Sequence, residues 1–272
     1  MKRLILNADD FGAAPEVNEA VERAHRDGVL RSASLMVGAP AVEDAIVRAR
    51  RLPELAVGLH VVLVNGRPVL PANRVPDLVD ERGEFLTDLV RAGFRFFLRP
   101  RARAQLAAEI RAQFEAFART NLVLDHADAQ SHMHVHPTVF RLMLEIGREF
   151  GLRAVRIPRE PSGRTRTIEP WLRLMRARAR RAGVFSNDYV FGLNEAGALT
   201  EERVLQILNA LPDGVTEIFL HPAVAPFSGA DVGTERFQWT GELAALTSWR
   251  VREAIARNGI ASTTYGELAG RS

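Results

Sequence analysis

A chain of 272 residues, 47% hydrophobic and 25% charged, can bury a sizeable core and fits one barrel-sized domain or two small ones. It has no Cys, which excludes disulfides and thiolate metal ligands and is compatible with the cytoplasm. The formal charge is only +3, and Lys2 is the single lysine, so the isoelectric point near 10.1 reflects arginine rather than a basic stripe for nucleic acid.

In chain order, Lys2 and Arg3 pass straight into the apolar run Leu4-Ile5-Leu6, which reads as a buried strand and not as a signal peptide. It delivers Asn7-Ala8-Asp9-Asp10-Phe11 and breaks at Gly12. A helix is predicted over residues 16–26, with Val17, Ala20, Val21 and Ala24 on one face. Strands at 34–37, ending at His60, at 125–128 and at 154–157 alternate with helices over 41–51, 102–118 and 138–150. The pattern resumes with a helix over 201–211, a strand at 218–221, a helix over 244–258 and a strand at 261–264. Gly151, Gly183 and Gly259 stand where helices stop. This alternation predicts an α/β fold, a (β/α) barrel-like sheet of parallel strands in a single domain over 1–272. No apolar run reaches the roughly 18 residues of a membrane span.

Two stretches, about 65–100 and 158–200, read as insertions around the mouth of a site. The first carries Phe94, Phe96, Phe97 and Leu98 among Arg91, Arg95, Arg99, Arg101 and Arg103. Such a face is ordinarily solvated or oligomer-forming, which leaves a homodimer open. The sharper reading is a lip for an amphiphilic or membrane-borne substrate, since Arg and Phe together suit the lipid interface.

The chemistry gathers at predicted strand ends, where loops of α/β folds converge. Asp9 and Asp10 would repel in a shared buried site unless a cation lay between them; alternatively Asp10 caps the turn before Gly12. His60 ends Val57-Gly58-Leu59 and reads as a core histidine or as a ligand beside Asp10. His132, His134 and His136 alternate with Met133 and Val135, so an extended run would put them on one face with Gln130. His136, beside Pro137, reads as structural. His221, before Pro222, suits either a packed turn or a general acid for an amine leaving group.

Together these residues resemble the YdjC-like carbohydrate deacetylases. The matching pieces are residues 7–12, Ser32-Ala33-Ser34-Leu35-Met36-Val37, residues 57–60, the His-x-His-x-His-Pro run ending at Pro137, and Leu220-His221-Pro222-Ala223. Within that family the chain looks most like the hopanoid-biosynthesis-associated HpnK branch, through residues 62–71, 91–97 and Ile157-Pro158-Arg159-Glu160-Pro161.

The resemblance implies a hydrolase that removes N-acetyl groups from amino sugars with one divalent metal: Mg, Zn or Mn. It implies Asp10 and His60 as metal ligands, Asp9 as general base and His221 as the acid. In the family pattern the histidine run begins one step earlier and supplies a third ligand. Here Gln130 stands in that place, an oxygen donor better suited to Mg²⁺ or Mn²⁺ than to Zn²⁺, so either Gln130 is the third metal ligand, or His132 takes over, or the site holds metal poorly. His132, His134, Arg156 and Arg159 are expected to contact the substrate. That substrate would be an N-acetylglucosaminyl hopanoid lipid or related amino sugar, met in the cytoplasm at the surface of the inner membrane. The alternative is a non-catalytic saccharide-lipid binding protein in which Gln130 records a lost metal site. A phosphoester hydrolase is weakest, for want of a Gly-rich phosphate cradle.

Overall fold

The apolar run that opens the chain becomes strand β1 (Lys2–Phe11), buried along Leu4, Ile5, Leu6 and Ala8. It belongs to a computed structural model that describes residues 1–227, 234 and 236–270. Helix α1 (Pro15–Arg26) follows, started by Pro15 where no backbone donor is needed. Then come β2 (Ser32–Leu35), α2 (Val42–Arg50) and β3 (Ala56–Val61). Two consecutive helices, α3 (Leu89–Leu98) and α4 (Pro100–Arg119), precede β4 (Leu124–Ala129). After α5 (Pro137–Glu149), β5 (Ala154–Val155) and α6 (Glu169–Arg181) come the short strands β6 (Phe185–Ser186) and β7 (Tyr189–Phe191). The described chain ends with α7 (Glu201–Asn209), β8 (Gly214–Leu220), α8 (Trp239–Thr247), α9 (Trp249–Arg257), β9 (Ala261–Ser262) and α10 (Tyr265–Ala269).

All strands pair in parallel, in the order β6-β5-β4-β3-β2-β1-β8-β7, with β9 added to β1. β6 lies at one edge and β7 at the other, yet only Asn187 and Asp188 separate them along the chain. The sheet must therefore curl until its edges approach, which gives the expected barrel-like α/β fold. Asn187 stitches this seam. Its side chain donates to the carbonyls of Ile157 (2.9 Å) and Tyr189 (2.8 Å) and accepts the N–H of Ile157 (2.7 Å).

Residues 158–200 are thus not simply an insertion; they contain α6 and both seam strands. Strands of two and three residues are too short for an alternating pattern to be read. The helix predicted over 244–258 is two helices, because Ser248 is extended and its hydroxyl accepts the N–H groups of Arg250 and Val251 to cap α9.

Helices such as α1, α4, α5 and α9 bury one apolar face each. Inside, a connected polar group spans β1 to β8, linking Asn7, Ser34, His126, Asp128, Arg156 and Glu217. Gly58 makes room for it, since a Cβ there would lie 2.4 Å from the ring of His126.

Candidate metal centre and active site

In a regular strand Asp9 and Asp10 would face opposite sides. The pairing of β1 with β2 shifts register between Ala8 and Phe11, and Asp10 takes a left-handed φ of 64°. Both carboxylates consequently reach the same histidine. Asp10 Oδ1 lies 3.5 Å from His60 Nε2, and Asp9 also brings an oxygen close to that ring.

His60 Nδ1 is 2.8 Å from Asp128 Oδ1, which sets its orientation from behind and leaves Nε2 facing Asp10. Burial opposes charge on His60, but the carboxylates of Asp128, Asp9 and Asp10 outweigh it and lift its pKa to about 9. This corner therefore favours a positive charge.

Asp9, His60 and Asp128 bring one ligand atom each within 4.8 Å of one another, a buried group able to hold a metal ion. Arg156 already stands against its two carboxylates. The guanidinium is fully buried and binds Asp9 through two nitrogens, at 2.8 and 2.7 Å. It also meets Glu217 at 2.9 and 2.7 Å and Asp128 at 2.8 Å. Burial would raise the Asp9 carboxyl, but the charge of Arg156 prevails and holds it below the usual range. On the other ring nitrogen, His60 Nε2 faces Asp10. Asp10 and Gln130 line a cavity of about 650 Å³, with Asn65, Phe85, Gln113 and Trp239 among its walls. Such a volume is typical of small-ligand sites.

The histidine run is not extended. Residues Gln130–Val135 form a 3-10 turn in which Ser131 and His132 have φ of 50° and 52°. Gln130 is held at the cavity wall by donating from Nε2 to the carbonyl of Asn65 (3.3 Å). The His132 ring instead meets Phe219 (5.2 Å) and His134 (5.9 Å). His134 has no exposed surface, and burial pushes its pKa down to about 3, which leaves it neutral. His136 accepts the N–H of Thr138 and caps α5, the structural role read from its place before Pro137.

The two arginines expected at the substrate are both engaged by carboxylates. Arg156 is committed to carboxylates inside the barrel. Arg159 binds Glu169 at 2.8 Å and lies over the Tyr189 ring, tying α6 to β7. His221 follows β8 and packs against Phe237, with ring centroids 4.9 Å apart. Burial pushes it down to about 4, so its resting form is neutral imidazole rather than the expected imidazolium.

A sequence profile of the YdjC-like protein family matches residues 3–257. The chain belongs to the YdjC-like family. A protein of Geobacillus stearothermophilus named carbohydrate deacetylase is 34% identical over 265 residues, covering 97% of both chains. Another of that name from Brevibacillus brevis is 32% identical, covering 98% of this chain and 99% of that one. The crystal structure of a protein from Enterococcus faecalis, provisionally named for cellobiose-phosphate cleavage, superposes with a TM-score of 0.76 at 28% identity over 98% of both chains.

In this YdjC-like chain the sequence reading overlooked Asp128, Glu217 and Glu242. Asp128 carries a legible signal, since it follows His126 at strand spacing and shares its inward face. Glu242 carries none, because it reaches the site from α8 by tertiary packing. It accepts the backbone N–H groups of Leu199 and His221, and burial raises its pKa to about 7. A carboxyl that holds its proton more tightly when folded contributes stability below its ordinary pKa of 4.5 and loses it as pH climbs to about 7. That loss amounts to as much as about 3 kcal/mol. Urea titrations at pH 5 and pH 8 should show Glu242→Gln gaining on the unmodified protein as pH rises; parallel profiles would refute this.

Proposed function

We propose that this protein is a metal-dependent N-deacetylase of an acetylated amino sugar. The observation that carries the reading is His60, oriented by Asp128 and presenting Nε2 to Asp10 at 3.5 Å beside a sugar-sized cavity. Proteins similar over nearly their whole length are named carbohydrate deacetylases, which supports the same chemistry. Asp10 and His60 would hold a divalent ion, with Gln130 as an oxygen donor on the same cavity wall. Such an ion supplies Lewis-acid polarisation of an acetyl carbonyl.

The remaining steps belong to the chain's own residues. Asp9 Oδ1 accepts from Asn7 and Arg156, whereas Oδ2 accepts from Arg156 alone. Oδ2 thereby keeps a lone pair with which to take the proton of the attacking water. His221, neutral at rest, takes over the proton that Asp9 removed from the water and passes it to the sugar nitrogen as the C–N bond breaks. Arg156 positions Asp9 rather than touching sugar, and His132 is the member of the histidine run we retain as a substrate contact.

For the substrate we propose an N-acetylglucosaminyl lipid of the hopanoid type, acted on in the cytoplasm. Support comes from residues 62–71, 91–97 and 157–161, which resemble the HpnK branch.

Stripping the protein and reloading it with Mn²⁺, Zn²⁺ or Mg²⁺ should give about one ion per chain, with acetate release from N-acetylglucosaminides. Asp10→Ala/His60→Ala should lose both. Substrate binding without any ion above that control would instead favour the saccharide-lipid binding protein.

A further inference from the structure

We propose that α3 is a membrane-docking element that seats the protein beside its cavity on an anionic lipid surface. A surface helix ordinarily turns its apolar stripe inward and its polar side out. In α3, Ala92 and Phe96 are buried, yet Leu89, Val90, Phe94, Phe97 and Leu98 are 42%, 68%, 63%, 58% and 65% exposed. At 3.6 residues per turn these five cover about half the circumference as one continuous outer arc. Phe94 and Phe97 are the exposed phenylalanines among the described residues.

Exposed Asp88 caps the start of α3 and Asp77 lies beside it, but from the first residue of the helix onward the charge has one sign. From Leu89 to Ala108 there is no Asp or Glu, while Arg91, Arg95, Arg99, Arg101 and Arg103 fall within the stretch. Arg101 meets Asp77 at 3.2 Å, and Arg95 donates to the carbonyl of the same residue. Burial and the neighbouring charges of Arg91 and Arg99 lower the pKa of Arg95, so the cluster is crowded with cations.

An apolar arc flanked by guanidinium groups fits a lipid interface, where rings enter the acyl boundary and long cationic side chains reach phosphate. A second copy of the chain is a poorer occupant, because a two-fold contact would oppose the same arginines. The contact would be interfacial, since no helix among the described residues is long and apolar enough to cross a membrane.

The position of α3 gives the contact a use. The segment leading into it lines the cavity through Asp80, Arg82, Glu84, Phe85 and Thr87. Phe96 and Phe97 set their ring edges on His136, at 6.0 and 6.3 Å, just beyond the turn that carries Gln130. Docking through α3 therefore brings the cavity to the bilayer. This inference stands apart from the deacetylase reading, because it rests on the exposed face of α3 and not on Asp10 or His60.

The test is co-sedimentation with phosphatidylcholine vesicles, with and without phosphatidylglycerol, at low and high salt. The protein should pellet with the anionic vesicles only, and less at high salt. Phe94→Ser/Phe97→Ser should abolish pelleting, and Arg91→Gln/Arg99→Gln should weaken it by about tenfold or more. Thermal melts followed by circular dichroism establish that both variants are folded. Equal pelleting by the unmodified protein and folded Phe94→Ser/Phe97→Ser would overturn the proposal. So would a dimer in light scattering that this double variant dissociates, since the face would then join two copies.

Discussion

Arg156→Met should leave the protein largely unable to fold. Methionine can fill much of the side chain's space, but it removes the cation that faces Asp9, Asp128 and Glu217 inside the barrel. Breaking one buried ion pair by deleting a partner costs about 3–5 kcal/mol. A domain has only about 5–15 kcal/mol to lose. Protonated His60 offsets part of the excess, through its contact with Asp128. Arg156→Lys keeps a charge but cannot reproduce five nitrogen–oxygen contacts with one ammonium, so it should fall between the two. Urea unfolding reads the result, and a loss below about 1 kcal/mol for Arg156→Met would contradict the account. Adding Glu217→Gln should cost less in the Arg156→Met background than alone, because the carboxylate it removes has lost its cation and keeps only the hydrogen bond from the Tyr265 hydroxyl at 2.6 Å.

The same ion cluster explains what the sequence could and could not reveal. Strand ends carrying Asp9, Asp10, His60 and His221 were legible, because an apolar run that stops at a polar group shows in one dimension. So was the cap formed by His136, signalled by Pro137. The conformation of Gln130–Val135 was not, since alternating His and apolar residues imitate a strand while Ser131 and His132 adopt left-handed backbone angles. Arg156 misled for a different reason. An arginine beside a strand end is ordinarily free to meet substrate, and only the folded barrel shows that three carboxylates from three strands already hold it. Glu242 and the seam at Asn187 depend on contacts between distant segments, which no local pattern encodes.

Asp9→Asn should separate the two ways of reading the paired carboxylates. If Asp9 is the base, acetate release should fall by about a hundredfold to ten-thousandfold, the usual contribution of a positioned proton acceptor. Ion uptake should persist, because Asp10 and His60 are untouched. Some stability should be lost as well, since Arg156 donates to both Asp9 oxygens and an asparagine would turn an N–H toward a donor. Rates must accordingly be taken on the folded fraction, measured by circular dichroism. Activity within tenfold of the unmodified enzyme would remove Asp9 from the proton path. Loss of both activity and ion would move the metal into the group formed by Asp9, His60 and Asp128, and Arg156 would then have to shift aside when the ion enters. The difference rests on one carboxylate that accepts three hydrogen bonds, two of them from an arginine that also binds Glu217 and Asp128.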